Sequence, residues 1–549
     1  KLCRMPDDLP EGYYLDNFTF LLDFVNRQYC HLLSEQEKQF YSTFQTLTLD
    51  SRKLFVRLTN RKGPYFRLDK LNYPEVESLG DEIESLVAAS LIVPIVPDLE
   101  SAIRICSKAE LLDLDACSEF PQSTKKQDLA EYLLSGQVNP VQALMIPVVE
   151  LARTEELTVF KLLFFGNFHQ DMTTFVMHEL VAPFEQYEID GNAALFRCRE
   201  VIDELIVLRS LSDASYKLME TEGSEEDLLK LIEKLPARNI EPVLSRRYDR
   251  MVNQIGRHLE RAGRIEEAVG VYCRAQATPA RERQARILDR IGKPQAAMKL
   301  CSSIIEAPQN EEELEFAQTF GQRLSSKHGF ASDVSFNLPV TKIKQTTIQV
   351  SRSHNSVEMC ALAYFEDLGD ECYYVENSLI RSLFGLCFWD IIYAPVSGAF
   401  FNPFQRGPVD LYTSDFVRSR RVLISDRFNE LEKNGPLGLA TAIYREKQGV
   451  ANPFVNWMSV DEQLMETALV KIPSQDLIRM FERLLIDLKN NSSGFPDLIV
   501  FDQDSYRMIE IKGPGDKLQK NQARWFRYFL EHSIPAALVN VEYLDPVSP

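Results

Sequence analysis

The sequence predicts an α+β protein of several domains: a helical, winged-helix-like N-terminal part, α-helical hairpin repeats in the middle, and a C-terminal mixed α/β core. Three observations carry this prediction. The 549 residues exceed the roughly 250–300 at which a chain divides into separate cores. Gly263, Ala268, Tyr272, Ala275 and Pro279 recur as Gly292, Ala297, Cys301, Ile304 and Pro308, a shift of 29 residues each time, which is helix-hairpin repeat spacing. Near the C-terminus LIVF, YRMIEIK, LQKNQARWFRYFLEH and AALVNVEYL read in order as strand, strand, helix, strand. The expected divisions are 1–100, 101–210, 211–330, a connector at 331–365, and 366–549.

Composition bounds the function classes. An apolar fraction of 45% with 26% charged residues is ordinary for a globular chain. Ten scattered cysteines without a C-x-x-C pair exclude a zinc knuckle and a readable disulfide framework, and fit a reducing compartment. The opening KLCRMPDDLP has no apolar signal core and no uncharged run of 18 residues follows, so neither secretion nor a membrane span is expected. Net charge is 61 − 80 = −19, which taken whole argues against a polyanionic partner. The distribution says more: Arg52 to Lys70 holds seven Lys or Arg against the single acid Asp69, and Arg246 to Lys299 holds thirteen against six. Each basic island reads equally well as a solvated helix face or as a nucleic-acid contact.

In the first region SRKLFVRLTNRKGPYFRLDKL reads as a helix capped by Ser51, with Leu54, Phe55 and Leu58 at helical spacing and a break at Lys62-Gly63-Pro64. Arg52, Arg57, Arg61 and Lys62 lie off the apolar stripe. A second helix at 75–90 leads into LIVPIV, a short strand whose Pro94 suits a sheet edge. Helices closed by a small β element suit a winged-helix-like DNA-binding module, and an ordinary helical domain fits the same pattern. The helix pair at 107–134 has Ser123 or Thr124 as the expected cap of its second helix. Lys125 and Lys126 in that helix's first turn make a candidate phosphate contact. Residues 140–210 read as mixed helical segments without a chemical motif. In the repeats, TPARERQARILDRIGK sets Arg281, Arg283, Arg286 and Lys293 where they line a groove fit for a phosphate backbone or a 5′-terminal phosphate. Such repeats also bind protein segments, so a protein partner is a further expectation.

The chemistry concentrates in GFPDLIVFDQDSYRMIEIKGPGDKLQKNQ. Side chains alternate along a strand, so Glu510 and Lys512 share one face while Ile509 and Ile511 pack on the other. Asp497, at the mouth of the neighbouring strand, reaches that first face. Two acids and a lysine are costly to desolvate together unless a cation occupies the site, and oxygen ligands of this kind favour Mg2+ or Mn2+. The pattern Pro-Asp, then Glu-x-Lys, is weak alone, but its surroundings raise its weight. The turn GPGDK follows, and a helix presenting Lys520 and Gln522 comes next. A third carboxylate is expected from an earlier helix, and Glu376 at the start of the apolar VENSLIRSLFGLCFWDIIY, read as one helix over 375–393, fits it.

These segments together resemble a known family. ENSLIRSLFGLCFWDII, GPVDLYTSDF, GFPDLIV and EIKGPGDKLQKNQ resemble the VRR-NUC nuclease domain of the Fanconi-associated nuclease family. The upstream YYLDNF and LFVRLTNRKGPYFRLDKLNYPE, a SAP-like helix pair and the helical repeats look like that family's domain order. The resemblance implies a PD-(D/E)XK restriction-endonuclease-like core and a structure-specific DNA nuclease, cutting near 5′ flaps and trimming 5′ to 3′ in interstrand crosslink repair. Glu376, Asp497, Glu510 and the backbone carbonyl of Ile511 would hold one or two Mg2+ or Mn2+ ions. Lys512 would orient the attacking water or stabilise developing charge, with Gln522 beside it, and Lys517 and Lys520 would contact DNA. Branched or 5′-flap DNA is the implied partner. The absence of an N-terminal Cys/His ubiquitin-binding finger implies a bacterial member, in the cytoplasm or nucleoid, whereas a eukaryotic one would be nuclear. The competing readings are a Holliday-junction resolvase or restriction-type endonuclease, and a catalytically weak DNA-binding scaffold.

Overall fold

The computed structural model describes residues 12–544 apart from 181, 190–193, 222, 240, 331–342, 353, 355 and 504. The chain divides into two compact units, residues 1–183 with 191–199 and residues 184–190 with 200–549.

In the first unit, helices Tyr13–Tyr29, Glu35–Thr46 and Leu49–Thr59 pack around Phe18, Phe40, Phe44, Phe55 and Phe160, all buried. The Leu49–Thr59 helix is capped by Thr48, whose hydroxyl accepts from the Ser51 N–H. Ser51, the expected cap, lies inside the helix and is buried. The helix at Leu79–Ala88 leads into a three-stranded antiparallel sheet of β1 (Tyr65–Arg67), β2 (Ile92–Pro94) and β3 (Val148–Leu151), with β3 in the middle. Pro94 ends an edge strand, where its missing N–H costs no ladder bond. The central strand comes from the stretch read as helical and silent. Four residues are too few to show a period, and both of its ladders are long-range. The helix pair is Lys108–Leu112 and Lys126–Gly136. Lys125 occupies the N-cap position of the second helix without a side-chain cap, because Thr124 is drawn into a turn by its N–H bond to Pro121 O.

In the second unit the repeats form two hairpins, Pro242–Arg261 with Ile265–Tyr272 and Ala280–Arg290 with Pro294–Glu306, followed by the helix Glu311–His328. The 29-residue shift is a structural equivalence. Gly263 and Gly292 take the same left-handed φ, +82° and +76°, at the turn of each hairpin, where a side chain would be strained. Ala268 and Ala297 are both fully buried. Arg281 ties the second hairpin to the next helix through two bonds to Glu313, 2.9 and 2.6 Å. The Glu311–His328 helix in turn meets the C-terminal core through Glu311–Arg483 at 3.0 Å and Glu315–Arg524 at 3.4 Å.

That core is a five-stranded mixed sheet in the order β4-β8-β7-β6-β5. It comprises β4 (Gln345–Val350), β5 (Glu371–Tyr374), β6 (Leu498–Phe501), β7 (Tyr506–Lys512) and β8 (Ala536–Tyr543). β4, β8 and β7 run parallel, and β7, β6 and β5 antiparallel. Residues 331–342 of the expected connector lie outside the described residues, and the remainder supplies β4 and most of the helix Val357–Asp367. That helix covers one face through Cys360, Ala361 and Phe365 against Leu498, Val500, Ile509 and Ile511. The Lys520–Glu531 helix and a helical insertion between β5 and β6 cover the other, with Trp525 and Phe529 against Ile499 and Met508. Burial on both faces is why LIVF is apolar at every position. The segment expected as one helix over 375–393 is two, Leu379–Cys387 and Trp389–Ile392. Glu376 stands before the first of them, in a turn held by the N–H groups of Val375 and Glu376, both donating to Asp497 O at 2.9 and 3.0 Å.

Gly494 fixes the approach of the GFPD loop to the Lys520–Glu531 helix. Its φ is +96°, and a Cβ there would sit 2.8 Å from Asn521 C and 3.0 Å from Gln522 N. Gly494→Ala is therefore expected to destabilise the core by about 1–3 kcal/mol, read as a lowered melting temperature, while the same change at the open, helical Gly438 does not lower it. Arg281→Ala would leave the buried Glu313 without its partner. It is expected to lower stability by about 3 kcal/mol, read by chemical denaturation against Arg281→Lys.

Candidate active site

The site is built where the β6–β7 ladder stops. Leu498 pairs with Ile509, and continuing that register would set Asp497 opposite Glu510 and Pro496 opposite Ile511. Proline has no N–H to donate, so the ladder cannot run on. The Ile511 N–H is taken instead by Asp497 Oδ2 at 2.9 Å. A strand residue's N–H and C=O point to the same side, so the Ile511 carbonyl faces the same gap.

Glu510 is fully buried and Lys512 is nearly so. Lys512 Nζ lies 2.7 Å from Glu510 Oε1 and donates to Gln522 Oε1 at 3.1 Å. Gln522 Nε2 donates back to Glu510 Oε1 at 2.6 Å, and Gln522 Oε1 also accepts from the Gln519 N–H at 2.9 Å. The Lys520–Glu531 helix is thus capped and joined to the site by one side chain. Glu510 Oε2 is buried and has no hydrogen-bond partner. Glu376 is exposed at the rim, where its carboxylate accepts from Tyr374 OH at 2.6 Å and Asn377 Nδ2 at 3.2 Å.

Burial pushes the Asp497 carboxyl up to about 6 against the pull of the Ile511 N–H and Lys512, with the charges of Glu358 and Glu376 adding to the rise. Burial likewise pushes Glu510 up to about 7, Asp497 adding to the rise and Lys512 opposing it. Such shifts mark carboxylates held together without enough positive charge. The donor set is all oxygen, and one buried carboxylate oxygen lacks a partner, so the residues fit a hard divalent cation. Among the described residues no three carboxylate, His or Cys side chains converge into a ready metal cage, since Glu376 is turned toward Tyr374 and Asn377.

Sequence reading missed three residues here. Asn377 Oδ1 accepts from the Gly494 and Phe495 N–H groups at 2.7 and 3.2 Å and so pins the loop carrying Asp497. Tyr374 holds Glu376. Glu358, in the first turn of the Val357–Asp367 helix, adds negative charge. None sits in a motif with Asp497: β5, unread in the sequence, brings Tyr374 and Asn377 near, and the Val357–Asp367 helix packed on the sheet brings Glu358.

The expected DNA contacts fare unevenly as an exposed set. Lys517 and Lys520, near the site in sequence, are exposed, and Lys62, Lys125 and Lys293 are exposed elsewhere on the chain. Arg52 donates to Gln45 O, Arg57 pairs with Glu75 at 2.6 Å, and Arg61 donates to Tyr73 OH at 3.1 Å. Lys126 Nζ donates to Arg104 O and Cys106 O at 3.1 and 2.6 Å, tying down the end of the Leu99–Ile105 helix instead of standing free for a phosphate. The anticipated arginine pocket is likewise taken up by carboxylates of its own unit: Arg281 by Glu313, Arg283 by Glu260, Arg286 by Glu282. A repeat that buries acids between its helices needs these arginines for packing.

Two family models match the chain: FAN1, HTH domain, over residues 12–93, and VRR-NUC domain, over residues 437–543. The Fanconi-associated nuclease 1 homolog of Pseudomonas aeruginosa is 32% identical, covering 97% of each chain. The Arabidopsis thaliana homolog is 23% identical over 96% of this chain and 67% of its own. Among solved structures, paFAN1 bound to 2-nucleotide 5′-flap DNA with a gap superposes with a TM-score of 0.90 at 31% identity, covering 98% of this chain and 100% of that one. The chain belongs to the Fanconi-associated nuclease family and is a nuclease.

Proposed function

We propose that this chain is a metal-dependent, structure-specific DNA nuclease that cuts near 5′ flaps and trims 5′ to 3′, acting in repair of interstrand crosslinks. The observation that carries the reading is the buried pair Asp497 and Glu510 beside Lys512, with one carboxylate oxygen left without a partner. The flap preference is supported by the DNA bound to paFAN1. Glu376, Asp497, Glu510 and the Ile511 carbonyl would hold one or two Mg2+ or Mn2+ ions. Such ions, when bound, acidify a water and neutralise charge on the phosphate under attack.

The chain's own residues do the rest. Asp497, fixed through its Oδ2 by the Ile511 N–H, would offer its other oxygen to a cation. Glu510 holds the Lys512 ammonium against the site floor, and Gln522 completes its shell, so the charge reaches the reacting phosphate in one orientation. A preoriented charge of this kind stabilises a transition state without reorganising. Deep burial excludes bulk water and strengthens that interaction. Exposed Lys517 and Lys520 would take the phosphates flanking the cut, and the winged-helix-like part, the helix pair and the repeats would grip the duplex.

The deciding experiment is cleavage of labelled flap, four-way junction and linear duplex with Mg2+ or Mn2+. Preference for the junction would overturn the flap reading in favour of a resolvase. Asp497→Ala and Lys512→Ala are expected to reduce cutting below about a percent of wild type while DNA affinity stays within a few-fold, because each acts on the transition state. Residual turnover well above that level would sink the assignment.

The raised carboxyls also set a pH dependence. Each binds its proton more tightly folded than unfolded, so the metal-free protein loses stability as pH rises from about 4, the unfolded value, through about 6 to 7. Cations compete with those protons. Addition of Mg2+ or Mn2+ should therefore raise the melting temperature more at pH 8 than at pH 5.5, and in Asp497→Asn this difference should shrink.

A further inference from the structure

Arg381 and Arg406 are brought side by side by the insertion between β5 and β6. Arg381 lies in the first turn of the Leu379–Cys387 helix, and its Nη2 donates to Pro453 O at 3.1 Å. Arg406 donates through Nε and Nη2 to the adjacent carbonyl, Asn452 O, at 3.2 and 3.0 Å. Neither guanidinium has an ion-pair partner among the described residues, whereas Arg420 and Arg427 of the same insertion each have one. Arg381 is half-buried, its Nε lacks an acceptor, and Arg406 is exposed beside it. Tyr412, 50% exposed, and Arg406 both lie within electrostatic reach of Arg381.

The platform is built to stay. Asn452 is fully buried, and its Oδ1 accepts from the Phe454 and Val455 N–H groups at 2.9 and 3.3 Å. The Asn456 N–H donates to Ser382 Oγ at 3.0 Å. Tyr393 OH reaches Arg406 O at 2.8 Å and Ala451 O at 2.9 Å, joining the two loops. A Cβ on Gly407 would lie 2.7 Å from Pro453, and one on Gly385 2.8 Å from Val455. Two adjacent like charges fixed without a counterion cost stability unless an anion joins them, and paired guanidinium forks match the oxygens of a phosphodiester.

We infer that Arg381 and Arg406, with Tyr412 at the rim, form a binding site for one backbone phosphate of the DNA strand, apart from the carboxylate centre. That the strand is the one being cut rests on the nuclease reading above. Five residues separate Arg381 from Glu376, at most about 18 Å of chain. At about 3.4 Å of duplex axis per nucleotide, the phosphate lies within about five nucleotides of the scissile bond. An exposed phenol beside it offers a face for a base to stack on.

The test is equilibrium binding of a 5′-flap duplex in metal-free buffer, over a range of salt, by wild type, Arg406→Ala, Arg406→Glu and Arg381→Lys, with circular dichroism confirming each fold. Arg406→Ala should weaken binding about ten-fold and reduce the salt slope by about one, and Arg406→Glu should weaken it further. A series of flaps carrying a single neutral methylphosphonate at each of about five linkages on either side of the cut should show one position that weakens wild type and leaves Arg406→Ala unaffected. Wild-type affinity and slope in both Arg406 variants, or no such position, overturns the site. A wild type that shows this pattern yet cuts no substrate with Mg2+ or Mn2+ overturns the nuclease centre instead and leaves the phosphate site standing.

Discussion

Two carboxylates buried side by side, with one ammonium between them and the helix beyond, are the constraint on which the rest of the C-terminal core depends. Asp497 and Glu510 are pushed to about 6 and about 7 because the fold removes them from water faster than Lys512 compensates them. A core of this kind holds together only if every other polar group nearby is satisfied. Gln522 serves Lys512, Glu510 and the Gln519 N–H at once, and Asp497 repairs the ladder that Pro496 interrupts. The site is destabilised by design, and the surrounding apolar packing of Ile509, Ile511, Trp525 and Phe529 offsets that cost.

The same constraint explains the loops. A carboxylate at the end of a strand is positioned by whatever ends the strand, so the GFPD turn must be held from outside. Asn377 accepts two of its N–H groups, Val375 and Glu376 donate to Asp497 O, and Gly494 lets the backbone press against Asn521. The rim carboxylate Glu376 and the floor carboxylate Asp497 are thereby parts of one hydrogen-bonded turn pair, although 121 residues of chain, 497 minus 376, separate them. A helical insertion of that length between neighbouring strands is tolerated because its two ends meet at this pairing.

Arginine use divides along a physical line. In the repeats, Arg281, Arg283 and Arg286 face carboxylates, the buried Glu313 among them, so the part of the basic island read as a phosphate pocket is taken up by packing. In the insertion, Arg381 and Arg406 are held only by carbonyls. Local charge density along the chain therefore does not by itself locate an anion site, since what matters for an anionic partner is the charge left over after the fold has paired its own.

The sequence by itself determined the fold class, the helix-hairpin repeat and the strand pair carrying Asp497, Glu510 and Lys512. Each of these is written in short-range periodicity: a shift of 29 residues, a run buried on both faces, a two-residue alternation that forces Glu510 and Lys512 onto one side. The family resemblance, drawn from the same stretches, agrees with the relatives found. The tertiary structure alone decided that residues 148–151 are the central strand of the N-terminal sheet and that residues 345–350 form an edge of the C-terminal one, because strand pairing across long loops leaves no local mark. It also decided that Thr48 and not Ser51 caps its helix, that Glu376 sits in a turn held by Asp497 O, and which arginines keep a free charge. Those outcomes are contacts between segments distant in sequence, and their energies depend on which partner arrives, a quantity that no window of residues contains.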